Sequence, residues 1–252
     1  HHHNKIQTMK KSLLTLAIFA LGFGLFSASA DTKTLTLNKS FSELETSAGV
    51  NVIYKPSTTG NATVTITGDA KRIEQVDVRM KGNTLMISPK RNANGNREGS
   101  VVKGVLITVT APIIGEIEAS SGSSVKCSTP ISSPNRKFEF DASSGATISF
   151  TSIACRSIEI DASSGADVNV KELKATKADL EASSGASVTV SSATNTSTSC
   201  EASSGGSVKI AGTSEKGYFE ASSGGSISAS SFNVRNARIE KSISGSIKVN
   251  SK

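Results

Sequence analysis

Tryptophan is absent, and the only three histidines stand together at the N-terminus as His1–His3. The body of the chain therefore has no imidazole. That excludes His-based triads, His general bases and His metal ligands. Aromatic residues make up 4% of the chain, and its two tyrosines, Tyr54 and Tyr218, are far apart. The exposed aromatic platforms that stack on sugar rings are therefore scarce. Cysteine is limited to Cys127, Cys155 and Cys200. An odd count cannot pair completely within the chain. None has useful metal-ligand spacing, so the three read as small buried hydrophobes.

Long apolar runs are also lacking, with one exception. Met9, Lys10 and Lys11 precede an apolar stretch from Leu13 to Phe26, and Ala28-Ser29-Ala30 follows it. A positive start, a short apolar stretch and small residues at its end predict a signal peptide cut after Ala30. Residues 1–30 thus read as a tag remnant, His1–His3, followed by a leader. No cysteine stands at the cleavage point to carry a lipid. No later run predicts a transmembrane span. Lys5, Lys10 and Lys11 leave with the leader, so the net charge falls from +7 to +4. The remaining near-balance gives no reason to expect a nucleic-acid partner.

What the chain has in abundance is one phrase. Glu118, Asp141, Asp161, Glu181, Glu201 and Glu220 each open an acid-Ala-Ser-Ser-Gly segment, ending at Gly122, Gly145, Gly165, Gly185, Gly205 and Gly224. The acids are spaced by 23, 20, 20, 20 and 19 residues, and a degenerate copy leads from Glu240 to Gly245. A fixed period near 20 predicts a solenoid whose coils stack on one another. Phe138, Phe140 and Ala142 alternate with Glu139 and Asp141, and Ile148 and Phe150 alternate with Thr147 and Ser149. Such period-two alternation predicts strands with one buried face. Each coil reads as a strand, a Ser-Ser-Gly corner and a second strand, closed by variable polar residues such as 191–196. Glycine at the corner would supply unusual backbone angles and let coils approach closely. The abundance of Ser, Thr, Val and Ile disfavours helices.

The expected class is all-β: a parallel β-helix or β-solenoid with coils of about 20 residues. In register, the six acids would form a column with like charges about 5 Å apart. Two readings compete for that column. In one, each carboxylate accepts hydrogen bonds from the Ser hydroxyls or backbone N–H groups of its own turn. In the other, it holds a divalent cation such as Ca²⁺ through oxygen ligands. Repetition at every coil favours the structural role, with no metal or cofactor site.

Residues 31–112 lack the phrase but alternate as strands, as in 50–54, 62–67, 76–80, 84–88 and 105–110. They form an N-terminal β-rich segment, either a cap or first coils, before the regular solenoid of 113–252. Within the first segment a Gly/Asn-rich polar stretch, 91–100, reads as a loop and a candidate boundary, and a continuous solenoid through both halves is an equal alternative. The order Phe41-Ser-Glu-Leu-Glu-Thr-Ser-Ala-Gly-Val-Asn-Val52, Val64-Thr-Ile-Thr-Gly68, Gly82-Asn-Thr-Leu-Met-Ile-Ser88, Ile107-Thr-Val-Thr-Ala-Pro112 and then serial Ser-Ser-Gly coils resembles the head-GIN-domain putative auto-transporter adhesins, exported proteins common in Bacteroidetes. The resemblance implies a right-handed β-helix in the periplasm, on the outer-membrane surface or outside the cell. The chain departs from the family label in showing no C-terminal translocator barrel.

The functional expectation is an exported, non-catalytic structural or adhesin-like protein of the cell envelope, with a surface glycan or envelope protein as partner. The alternatives are a glycan-binding module, or a polysaccharide lyase or hydrolase on a β-helix. Unpaired strands at the ends of a stack also invite homo-oligomers. Lys241, Lys248 and Lys252 would discourage further stacking at the C-terminal end.

Overall fold

The computed structural model describes residues 7–19, 25–96 and 103–251. His1–His3, the end of the polar loop and Lys252 lie outside them. Seventeen strands and one short helix make up these residues. In the second half, β12 (Thr147–Ala162), β13 (Asp167–Ala182), β14 (Ser187–Ala202), β15 (Ser207–Ala221) and β16 (Ser226–Lys241) pair in parallel, each with the next. The chain is a parallel β-solenoid. A 16-residue strand such as β13 plus the four corner residues 183–186 makes up the period of 20. The polar stretches expected to close each coil as loops are not loops. Residues 191–196 lie inside β14, where they bend around two outer positions and form a third side.

The corner explains the repeated phrase. Ala146 N–H donates to Ser143 O at 3.1 Å and closes a tight turn. Both central residues have positive φ: Ser144 at 50° and Gly145 at 74°. Two positive φ values are the mark of a type I′ turn. The backbone ladder does not stop there. Gly145 N–H donates to Ser164 O, and Gly165 N–H to Ser184 O, so the bends run in single file. A Cβ at Gly122, Gly145, Gly165 or Gly185 would meet nothing within 4 Å. Glycine is needed here for its φ; close coil approach, also expected, is not the reason.

The irregular steps have local causes. The step of 23 places three extra residues in β10 (Ser124–Cys127) to β11 (Ile131–Ala142), where the pairing with β12 slips before Ile131 and between Ser133 and Lys137. The step of 19 removes one residue before Gly212, which takes the register position of Ala193 with φ 118°.

The first half is threaded out of order. β3 (Glu43–Thr46) lies between β7 (Thr84–Pro89) and β9 (Glu116–Ala119), parallel to both. β4 (Asn51–Pro56) likewise lies between β8 (Leu106–Ala111) and β10. Its corner, Ala48-Gly49, repeats the same positive-φ pair, and Gly49 N–H donates to Ser121 O. Backbone pairing and one apolar core run continuously from Leu35 to Ile247 across the loop. At the far end, β5 (Thr63–Gly68) is antiparallel to β8, β6 (Val76–Lys81) is antiparallel to β7, and helix α1 (Ala70–Ile73) joins them with Ile73 buried. Antiparallel strands cannot extend a parallel coil, so this end is closed. Among the described residues, β1 (Gln7–Phe19) pairs with β2 (Leu25–Thr36) alone, and residues 31–36 of β2 also pair with β5.

Inside, equivalent residues form rows. Phe140, Ile160, Leu180, Cys200 and Phe219 make one, and Phe140 stacks on Phe150 at 4.6 Å. All three cysteines are free and buried. Burial pushes the Cys155 thiol up to about 11. Tyr54 is a core residue: its hydroxyl donates to Pro112 O at 2.9 Å and accepts from Ile114 N–H at 3.1 Å.

Replacing Gly212→Ala would set a Cβ about 2.0 Å from Ala193 O at a positive φ. Equilibrium denaturation should register a loss above about 2 kcal/mol. Ser164, with φ 49° and an exposed side chain, should behave oppositely. Asn-Gly is the preferred type I′ pair, so Ser164→Asn should add on the order of 0.5 kcal/mol. Ser164→Val should subtract at least about 1 kcal/mol, because a β-branched residue resists that backbone region.

Candidate functional site

The first side of the coil carries the acids. Successive strands set Glu118, Asp141, Asp161, Glu181, Glu201 and Glu220 in register, as expected. The column is longer than the phrase implied. Glu45 pairs with Glu118 at one end and Glu240 with Glu220 at the other, giving eight rungs. It is also double. Two residues earlier on each strand stand Glu43, Glu116, Glu139, Glu159 and Asp179, again in register. Side chains two apart on a strand share a face. The face therefore holds five acid pairs and three single acids, out of 21 acids in the chain. The signal for the second column was present, because Glu116-Ile-Glu118, Glu139-Phe-Asp141, Glu159-Ile-Asp161 and Asp179-Leu-Glu181 all repeat acid-apolar-acid.

Between the columns runs an acidic trough of about 490 Å³ across β11 to β14. Partial burial and neighbouring like charge raise three of its carboxyl groups, Asp141, Asp161 and Glu201, above their ordinary values. Desolvation is the larger cause at Asp141, followed by Asp161; the same order holds at Asp161, with Glu181 as its neighbour, and at Glu201, with Glu220. Glu116 and Glu118 follow the same pattern, through burial first and then their stacked neighbours. Lys137 relieves some of the repulsion, lying 2.8 Å from Glu139 and 3.3 Å from Glu159.

Among the described residues, the column carboxylates take no hydrogen bond from the corner serines. The expected turn-capping role is replaced by contacts along the stack. Tyr218 Oη lies 3.0 Å from both Glu220 and Glu240. Arg238 pairs with Glu240 at 2.7 Å and lies over the Tyr218 ring. The outer column thus changes from acids to Ser199, Tyr218 and Arg238 at its C-terminal end. Among the described residues, no three carboxylate, thiol or imidazole groups converge as metal ligands.

A second concavity, of about 850 Å³, runs along the third side. One wall is Ala154, Lys174, Thr194, Thr213 and Asn233, and the other includes Thr176, Thr196, Glu215 and Arg235. Its floor is the row Cys155, Ala175, Asn195, Ser214 and Val234, which faces the core. Asn195 is buried and fully engaged: its Oδ1 accepts from Ala175 N–H and its Nδ2 donates to Thr198 Oγ1. Apart from Thr194 and Thr213 on one wall and Thr176 and Thr196 on the other, the walls differ in chemistry from rung to rung. These residues escaped sequence reasoning because they lie in the polar stretches that looked like loops.

Raised carboxyl groups bind protons more tightly in the folded than in the unfolded state. Stability should therefore increase as the pH falls from neutrality towards about 4, where unfolded carboxylates titrate. Added salt should shrink that gain by screening the columns. Thermal melts at low and high ionic strength would check both; a melting point that rises with pH over this range would contradict them.

Three comparisons bear on identity. No curated protein matches the chain. Among solved structures, a putative adhesin from Parabacteroides merdae ATCC 43184 superposes with a TM-score of 0.67 at 14% identity, over 88% of this chain and 96% of that one. A putative adhesin from Bacteroides fragilis NCTC 9343 gives 0.62 at 16% identity, over 88% and 97%. A putative lipid binding protein from Parabacteroides distasonis ATCC 8503 gives 0.57 at 14% identity, over 88% and 96%. At these identities the likeness is one of fold. The family model described as "Putative auto-transporter adhesin, head GIN domain" matches residues 40–171 and 158–252. The chain belongs to that family of adhesin-like β-solenoids.

Proposed function

We propose that this chain is an exported, non-catalytic adhesin-like protein of the cell envelope or surface. Its long faces would hold a surface glycan or an envelope protein through many weak contacts. The observation that carries the reading is that polar chemistry is spread along the rod. One acid column repeats over eight rungs and its neighbour over five, and the third-side trough runs along β12 to β16. Extended surfaces of this kind suit an extended partner better than a small substrate held at one point.

Export is supported by the leader and by how its residues connect to the rest. Among the described residues, residues 25–30 pair with β1 alone, while β1 also pairs with residues 32–36 and pairing with β5 begins at Asp31. Cleavage after Ala30 would remove the β1–β2 ladder and leave the pairing of residues 31–36 with β5 intact. A glycan-binding role, the second reading, is favoured by the third-side trough, where Lys174, Thr194, Thr213, Asn233 and Arg235 offer hydrogen-bonding groups along its length.

Expression with the leader intact, fractionation and N-terminal sequencing should find an exported chain starting at Asp31. A cytoplasmic chain with its leader retained would overturn the export claim. A glycan array should return saturable binding that Lys174→Ala with Arg235→Ala weakens severalfold. Reducing-sugar and unsaturated-product assays on polysaccharides should stay at background; turnover would overturn the non-catalytic claim.

A further inference from the structure

The two ends of the solenoid differ. At the N-terminal end, β5, β6 and α1 close the stack. At the other end, β17 (Ser246–Ser251) covers β16 only at residues 226–229 and 233–234. Among the described residues, nothing pairs with the outer edge of residues 236–241. Ile239, which continues the buried row above Phe219, is 46% exposed, and Ile243 is 85% exposed. An apolar row and an open strand edge thus coincide, and such an edge is a template for another strand.

We propose that this edge joins a second copy of the chain, as a closed two-fold dimer built end to end. The occupant is argued from the charge order of the edge itself. Residues 237–241 read Ala-Arg-Ile-Glu-Lys. Antiparallel pairing about Ile239 sets each Arg238 opposite Glu240 of the second copy, and the reverse. Ile239 meets its own counterpart, and Lys241 falls opposite the small Ala237. A two-fold joint counts every such match twice. Parallel, head-to-tail continuation has no equivalent, because the far end finishes in antiparallel strands. The lysines near this end disfavour open-ended stacking and remain compatible with a closed pair.

The joint also has a consequence for the acidic face. Arg238 ends the outer column and Glu240 ends the inner one, on the same side of the coil. Joining Arg238 to Glu240 of the second copy runs the outer column of one molecule into the inner column of the other. The dimer therefore presents one acidic face of twice the length. This inference is independent of what binds that face.

Sedimentation equilibrium of the purified protein should give a dimer that dissociates on dilution. Arg238→Glu places like charges across the joint twice and should weaken the dimer on the order of tenfold or more. Glu240→Arg should do the same. The double exchange, Arg238→Glu with Glu240→Arg, should restore association. A monomer at all concentrations, an open-ended polymer, or single reversals that leave the dimer unchanged would overturn the proposal. So would failure of the double exchange in a chain with unchanged melting. If the charge variants fold poorly, Ile239→Cys decides: mild oxidation should yield a covalent dimer across the two-fold axis, since the native cysteines are buried. Its absence would overturn the proposal as well.

Discussion

The backbone ladder that continues around the Ser-Ser-Gly corner is the constraint on which the rest of the molecule depends. Strands alone would hold neighbouring coils only along their straight sides. Here the corner N–H of each glycine donates to the serine carbonyl of the adjoining coil, from Gly49 to Gly205. Every coil is thereby held at one rotational setting relative to its neighbours. Rows of identical phase follow from that setting: alanines beneath the corner, large apolar residues within, acids outside. The requirement for φ > 0 at two consecutive positions explains why the phrase recurs so faithfully, and why its serines sit in a region that costs a side chain about 1 kcal/mol or more.

The same register that orders the core creates the molecule's main electrostatic strain. Carboxylates one rung apart cannot avoid one another when the backbone is so firmly fixed. The chain offsets this locally, through Lys137 and Lys177 in the middle and through Tyr218 and Arg238 at the end. A double acid column is poorly explained as a stabilising device, since Glu116, Glu118, Asp141, Asp161 and Glu201 are all raised in the fold. It makes sense as a surface displayed by a scaffold stable enough to carry it. The third side shows the opposite logic, with a floor whose residue changes at every coil, from Cys155 through Ala175, Asn195 and Ser214 to Val234.

The solenoid, its period and its single file of bends were legible in residues 118–245, because a stacked coil repeats its φ requirements and its apolar alternation at constant spacing. The strands expected at 50–54, 62–67, 76–80, 84–88 and 105–110 were legible for the same reason of alternation. The third side was not, because one short turn of strand around a bend buries two residues and exposes the rest, a pattern too brief to be told from a loop. Nor was the hydrogen-bond role of the corner serines, since composition at a turn does not say whether the hydroxyl or the carbonyl is used.

By itself, the sequence determined the class, the coil length, the corner and one column of acids, for these are local requirements repeated until they become unmistakable. Only the tertiary structure decided that residues 43–56 slip between strands that follow them in the chain, that Glu45 thereby extends the acid column beyond Glu118, and that Tyr54 is bound to the backbone of residues 112–114. These depend on which distant strands become neighbours. That choice is made by the joint burial of rows contributed from the whole chain, and no window of twenty residues contains it.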